Sequence, residues 1–166
     1  MITLPHTGLQ VPHTDVRVTY VTPTGRGEGV SAVVKNAGRT LGVITLSARR
    51  DFVRLEMPRA ERRVLERFAD QCRDSDDQPL PRAQVWDLLV AERHYQQAVE
   101  EAQREQRVLM RTFFRDGPPK LHSVGANGPV PPRAELHVCA TVELEPEVIR
   151  AEAWLHGRWV QVRPAE

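Results

Sequence analysis

The stretch AEAWLHGRWVQV, residues 151–162, has the alternation of a β-hairpin around a two-residue turn. His156 and Gly157 occupy the predicted turn, because tight hairpin turns favour residues such as glycine that accept a positive φ. This register places Trp154 directly opposite Trp159. One face then carries Ile149, Ala151, Ala153, Leu155, Val160 and Val162, and the other carries Arg150, Glu152, Trp154, His156, Trp159, Gln161 and Arg163.

Short alternating strands separated by turn residues also fill the N-terminal third of the sequence. Glycine-rich turns separate the first three of these strands, which is typical of an antiparallel meander. The four predicted strands are VRVTYVT (16–22), VSAVVK (30–35), LGVITLS (41–47) and FVRLEM (52–57).

The central part of the sequence has helical periodicity. Pro58 suits the first position of a helix, and an apolar stripe follows at helical spacing. After a break over residues 73–81, no proline or glycine occurs from Arg82 to about Phe114, which predicts an unusually long second helix. Its apolar seam lies near the 3.5-residue spacing, with interruptions at Glu92 and Gln106, and consists of Val85, Leu88, Tyr95, Val99, Ala102, Leu109 and Phe113.

These patterns together predict one α+β domain over residues 1–166. The N-terminal region is an antiparallel β-meander, the centre is a helix pair with a long second helix, and the C-terminal region is a three-stranded antiparallel meander that begins with ELHVCATVEL (135–144). The predicted segments are an irregular leader (1–15), strands (16–57), helices (58–115), a Pro/Gly-rich loop (116–133) and strands (134–166).

Composition places the chain among ordinary globular proteins, with 40% hydrophobic and 27% charged residues. No apolar run approaches the roughly 18 residues of a membrane-spanning helix, and the N-terminal sequence has no secretory signal pattern. The two cysteines lack a paired-motif spacing, which fits a reducing compartment. We therefore expect a cytoplasmic, bacterial protein without a membrane partner.

Motifs for catalysis, cofactors and metals are missing from the sequence. The glycines of GRGEG (25–29) are flanked by strand patterns, whereas a phosphate-binding glycine loop needs a helix after it. His137 and Cys139 share one face of a predicted strand but have no clear further ligands. The acidic run 74–77 lacks the spacing and glycine of a calcium loop. We predict no enzyme activity, no cofactor and no metal.

The helix pair MPRAERRVLERFADQC (57–72) and PRAQVWDLL (81–89) resembles the first two helices of the winged-helix DNA-binding domains of response regulators. The likeness covers about 35 of the 166 residues and is mostly generic amphipathicity. This sequence departs from the family pattern because its second helix runs on without a turn into a separate recognition helix. Major-groove recognition is therefore not expected, and we assign no family.

The tryptophan pair has three interpretations at this point. The long helix or the Pro-rich loop covers it as a second core layer, or it is an exposed anchor for a protein partner or a second copy. In the third interpretation, Trp154 and Trp159 form a stacking platform for unpaired bases. Arg150, Arg163 and His156 flank the two indoles. The segment Arg107–Arg115 and the arginines of the first helix extend this platform, the latter being Arg59, Arg62, Arg63 and Arg67.

The functional prediction is a non-catalytic binding protein that contacts nucleic acid, preferably single-stranded, through this aromatic and arginine surface. The alternative is a protein–protein interaction or self-assembly module, such as a homodimer, built on the long central helix. The net charge of +1 provides no overall attraction to polyanions, so nucleic-acid binding requires a local patch.

Overall fold

The computed structural model describes residues 1–25, 29–49, 52–116, 119–125 and 147–162. Two helices and three antiparallel sheets are present in this part of the chain, which confirms the predicted α+β class. The chain divides into two compact units, Met1–Tyr95 and Gln96–Glu166. No described helix is long and apolar enough to span a membrane.

The predicted N-terminal meander is confirmed. Four strands pair in sequence order, each antiparallel to the next: β3 (Val16–Pro23), β4 (Gly29–Asn36), β5 (Arg39–Ser47) and β6 (Val53–Glu56). A register irregularity between Val18 and Tyr20 turns Val21 into the core and leaves Tyr20 57% exposed. Strict alternation along β3 predicted Tyr20 on the same face as Val18 and Val21 on the other face. The prediction failed here because a β-bulge exchanges the two faces of a strand.

Two helices pack their apolar stripes against this sheet. Helix α1 (Arg59–Gln71) follows Pro58, and α2 (Arg82–Arg104) begins after the predicted break. Arg82 at the start of α2 binds both carboxylate oxygens of Asp70, with N–O distances of 2.7 and 2.8 Å. The buried helical residues in this core are Leu65, Phe68, Ala69, Val85, Trp86, Leu89 and Val90, joined by Cys72, which ends α1.

The leader contains two short paired strands, β1 (Ile2–Thr3) and β2 (Gln10–Val11). Glu92 of α2 holds the turn between them, because its carboxylate accepts hydrogen bonds from the backbone N–H groups of His6 and Thr7 and from the Thr7 hydroxyl. His6 itself is only 3% exposed. These hydrogen bonds explain why a charged residue, Glu92, interrupts the apolar seam of α2.

The long helix ends ten residues earlier than the sequence predicted. Gln106 adopts a positive φ of 56°, and the N–H groups of Gln106 and Arg107 donate to the carbonyls of Gln103 and Ala102. This is the hydrogen-bond pattern of a Schellman C-cap, in which glycine is the usual residue at the left-handed position. Because glutamine rather than glycine occupies this position, the sequence gives no signal that the helix ends here. The prediction of helix to Phe114 was wrong.

The C-terminal unit contains a sheet of four described strands. The strands β7 (Val108–Phe114) and β8 (Lys120–Val124) lie where a helix and a loop were predicted. They pair with β9 (Val148–Leu155) and β10 (Arg158–Val162) in the order β10-β9-β7-β8, all antiparallel. The predicted strand at 135–144 and most of the predicted loop lie outside the described residues.

One face of this sheet is apolar and buried, through Val108, Met110, Ala151, Ala153, Leu155 and Val162. The hairpin alternation predicted the β9 and β10 residues of that face, with one error. Ile149 is 64% exposed, because the pairing of β7 with β9 is irregular between Phe113 and Phe114. The opposite face of the sheet carries the tryptophans and the charged residues.

Candidate ligand-binding cleft

The predicted hairpin register is confirmed. Trp154 pairs with Trp159 across β9 and β10, and Leu155 pairs with Arg158. The turn residues His156 and Gly157 have φ values of 52° and 76°, as a two-residue turn with two left-handed positions requires. His156 is exposed at the tip of the hairpin.

The C-terminal part of α2 covers the tryptophan pair on one side. Both indoles are partly buried and pack against a cluster formed by Val99 and Ala102 of α2 and Leu109 of β7. The ring centroids are 5.3 Å apart and the ring planes meet at 68°, an edge-to-face arrangement. The pair is therefore part of a second apolar layer, as one of the three interpretations predicted.

An arginine occupies a ring face of Trp159. The guanidinium carbon of Arg111 lies 4.1 Å from the ring centroid, close enough for a cation–π interaction. Arg111 also donates a 2.6 Å hydrogen bond from Nε to Glu152, and each of these two side chains is 14% exposed. Arg111 thus contacts the Trp159 ring, whereas Trp154 is the indole that lines the cleft described below.

Arg150 lies farther along the same face of the sheet. Its guanidinium carbon is 3.9 Å from the ring centroid of Phe113, and its Nε is 3.5 Å from a Glu152 oxygen. With 48% of its side chain exposed, Arg150 remains accessible from solvent. The sequence did not indicate Phe113 as a member of this face, because it was assigned to the helix. The predicted partner Arg163 lies outside the described residues.

A cleft of about 290 Å³ opens beside Trp154, between the C-terminal end of α2 and the tip of the hairpin. Its lining combines apolar side chains with three polar ones. The apolar members are Val99, Ala102, Val108, Leu109, Trp154 and Leu155, and the others are Gln103, Arg107, His156 and Gly157. Trp154 and His156 were predicted from the hairpin and Arg107 as part of the Arg107–Arg115 extension of the surface, whereas Gln103 was missed.

Arg107, which lines the cleft, is held by hydrogen bonds of its backbone and its side chain. Its backbone N–H caps α2, and a terminal guanidinium nitrogen donates a 2.8 Å hydrogen bond to the carbonyl of Ser123. A guanidinium carries five N–H groups, so the bond to Ser123 leaves donor capacity for an anionic ligand. The C-cap that ended α2 unexpectedly thus also places Arg107 in the lining of the same cleft as Trp154.

The predicted arginines of the first helix do not line this cleft. All four are exposed on α1 in the N-terminal unit, whereas the cleft is formed within the C-terminal unit. Two of them also bond locally: Arg62 donates to the carbonyl of Leu55 and Arg67 to that of Arg63. Arg59, Arg62, Arg63 and Arg67 therefore form a surface of their own unit.

The predicted self-assembly seam of α2 contributes to intrachain packing. Val85 is buried in the core of the N-terminal unit, with Leu88 packed against that core. Val99 and Ala102 are buried beneath the tryptophans in the C-terminal unit. The packing of these four residues favours an intrachain role for this side of the helix.

Among the described residues, no group of three or more histidine, cysteine, aspartate or glutamate side chains is arranged to hold a metal ion. His137 and Cys139 lie outside that part of the chain. Burial raises the pKa of the Cys72 thiol from 9.0 to about 11, so this cysteine is a poor nucleophile at neutral pH.

No protein-family model, curated protein or solved structure matches this chain. In the described residues, β7 rather than a recognition helix follows α2. The resemblance to winged-helix domains therefore remains limited to the helix pair.

Proposed function

We propose that this protein is a non-catalytic binding protein whose ligand is nucleic acid, preferably single-stranded, and that the cleft beside Trp154 makes the central contact. The observation that carries this proposal is the combination of a tryptophan and an arginine in the lining of one cleft. An aromatic wall stacks on a base, and a guanidinium binds the phosphate that accompanies the base.

The composition of the cleft favours a ligand that is both planar and anionic. The side chains of Val99, Ala102 and Leu109 provide an apolar lining next to Trp154. Arg107 and His156 line the same cleft. Because every base has a π-face, such a site accepts nucleic acid with little sequence preference.

Single strands fit this arrangement better than a duplex does. Bases in a duplex are stacked on both sides and reach a recessed aromatic ring only when they are extruded, which costs a few kcal/mol. The bases of a single strand turn outward at a lower cost. The exposed Arg150 lies on the same sheet face as Trp154 and offers a second contact for the backbone of such a strand.

The test is a fluorescence-anisotropy titration of labelled single-stranded and duplex DNA and RNA at low and moderate salt. We expect single strands to bind more tightly than duplexes, with an affinity that falls steeply between about 50 and 200 mM salt, because phosphate contacts release counterions. Absence of single-strand binding at low salt would refute the proposal and favour the alternative of a protein–protein interaction module.

Two matched variants locate the contact. Trp154→Leu removes the stacking surface but retains an apolar side chain against Val99 and Ala102, and we expect it to weaken binding at least about fivefold. Tyr20→Leu is the control, since Tyr20 is an exposed aromatic residue on β3 of the N-terminal unit and does not line the cleft. Circular dichroism verifies that both variants fold. Equal weakening by the two substitutions would contradict the assignment of Trp154 as the contacting indole.

A further inference from the structure

The size of the cleft restricts what part of a nucleic acid it can take. Its volume of about 290 Å³ is at the small end of the range for ligand sites in proteins. Its walls come from only two places, the last two turns of α2 with the residues after it and the tip of the β9–β10 hairpin. A site of this size and origin admits one planar group, not a row of stacked bases.

The surroundings of Trp154 hold its ring in a fixed orientation. Trp159 meets it edge to face, and Arg111 together with Glu152 fixes Trp159 in turn. Trp159 and Arg111 are positioning residues in this arrangement, because neither lines the cleft. A ring that is already held loses little conformational entropy when a ligand stacks on it.

We infer that the cleft is a pocket for a single unstacked nucleobase, with Trp154 as the stacking surface and Arg107 as the contact for the adjoining phosphate. This inference rests on the proposed function and names the part of the strand that the site recognises. It assigns binding roles to two residues that line one cleft, Trp154 and Arg107.

The two roles predict separable effects on binding. Trp154 contacts only the base, so its loss weakens strands that have bases and leaves a strand of abasic sugar-phosphates unaffected. Arg107 contacts only phosphate, so its loss weakens all strands and reduces the slope of log affinity against log salt by about one.

The experiment uses three labelled strands of about 12 nucleotides. The first has a base at every position, the second is abasic throughout, and the third is abasic except for one central thymine. Wild-type protein is titrated with each strand at low salt, followed by Trp154→Leu, Arg107→Ala and the charge-matched control Arg17→Ala. Arg17 is an exposed arginine on β3 of the N-terminal unit.

We expect the single thymine to recover most of the affinity difference between the abasic strand and the complete strand, a gain of about fivefold or more. Trp154→Leu should remove this gain, and Arg107→Ala should weaken all three strands more than Arg17→Ala does. The single-base pocket would be overturned if the single thymine recovers only a small share of the affinity difference between the abasic and complete strands, or if the thymine gain survives Trp154→Leu. The proposed function would stand in either case. Failure of the complete strand to bind would overturn both.

Discussion

Arg111 lies with its guanidinium carbon 4.1 Å from the ring centroid of Trp159 and thereby connects the tryptophan pair to the charged part of the same sheet face. The side chain comes from the central strand β7, where it pairs in register with Glu152 of β9. With 14% exposure on each side, the two charges are mostly removed from water. Their desolvation is offset by a charge-assisted hydrogen bond and by the indole face.

Replacing only one partner of this ion pair should destabilise the protein. Arg111→Met leaves Glu152 in a mostly desolvated position without its closest cation, and we expect the free energy of unfolding to fall by about 2–3 kcal/mol. The double variant Arg111→Met/Glu152→Leu should lose less than the two single variants combined, since apolar residues then replace both charges. Urea denaturation measures all three. The exposed pair Arg54–Glu56 is the control, and Arg54→Ala should cost less than about 1 kcal/mol.

The hairpin turn favours a residue without a side chain at position 157. Gly157 has a φ of 76°, and no atom of the described residues lies within 4 Å of the place that a Cβ would occupy. A side chain there therefore meets a backbone penalty but no clash, and we expect Gly157→Ala to lower the free energy of unfolding by about 1 kcal/mol. Gly25→Ala is the matched control, because Gly25 also has open space but no positive φ. Similar losses in thermal denaturation for both variants would contradict the role of the turn.

Glu92 should determine how firmly the first strands are attached. Glu92→Ala removes the acceptor for the Thr7 hydroxyl and for two backbone N–H groups, and hydrogen bonds to a charged group each contribute about 1.5–3 kcal/mol. We expect faster amide exchange over residues 1–11 and lower stability. Glu92→Gln keeps one acceptor oxygen and should have a smaller effect. Glu101→Ala, at an exposed position of the same helix, should leave the exchange of the leader unchanged.

Cys72 should make the protein less stable in alkaline solution. Its pKa rises from 9.0 to about 11 on folding because burial disfavours the thiolate. The stabilising effect is fully present below pH 9 and is lost as the pH rises towards 11, because the unfolded chain releases its proton first. Two pKa units correspond to at most about 2.7 kcal/mol. Comparing the free energy of unfolding at about pH 8 and about pH 10.5 should show a smaller decrease for Cys72→Ala than for the wild type.

The local patterns of the sequence predicted several elements correctly. Alternation indicated the β3–β6 meander and the β9–β10 hairpin with Trp154 opposite Trp159. The apolar stripe after Pro58 indicated α1. These elements follow from the periods of strands and helices, which are properties of neighbouring residues and can be recognised without knowledge of the rest of the fold.

The sequence predicted only part of the candidate cleft, because its local patterns indicated the hairpin but not the end of α2. Trp154 and His156 belong to a hairpin with a clear local signal, whereas Arg107 reaches the cleft through a C-cap at Gln106 that lacks the usual glycine. The strand that follows, Val108–Phe114, was hidden in what looked like continuous helix. Its residues at alternate positions then supply Leu109, Arg111 and Phe113 to the face of the tryptophans.

By itself, the sequence determined the α+β class, the hairpin register and the identity of the paired indoles, because alternation and turn chemistry act over a few residues. Only the tertiary structure decided that α2 stops at Arg104, that its last turns cover the tryptophans and that Arg111 occupies the ring of Trp159. Those outcomes depend on contacts between residues far apart in the chain. Such contacts bury apolar surface and pair charges, and these contributions decide the structure where local preferences do not favour one conformation over another.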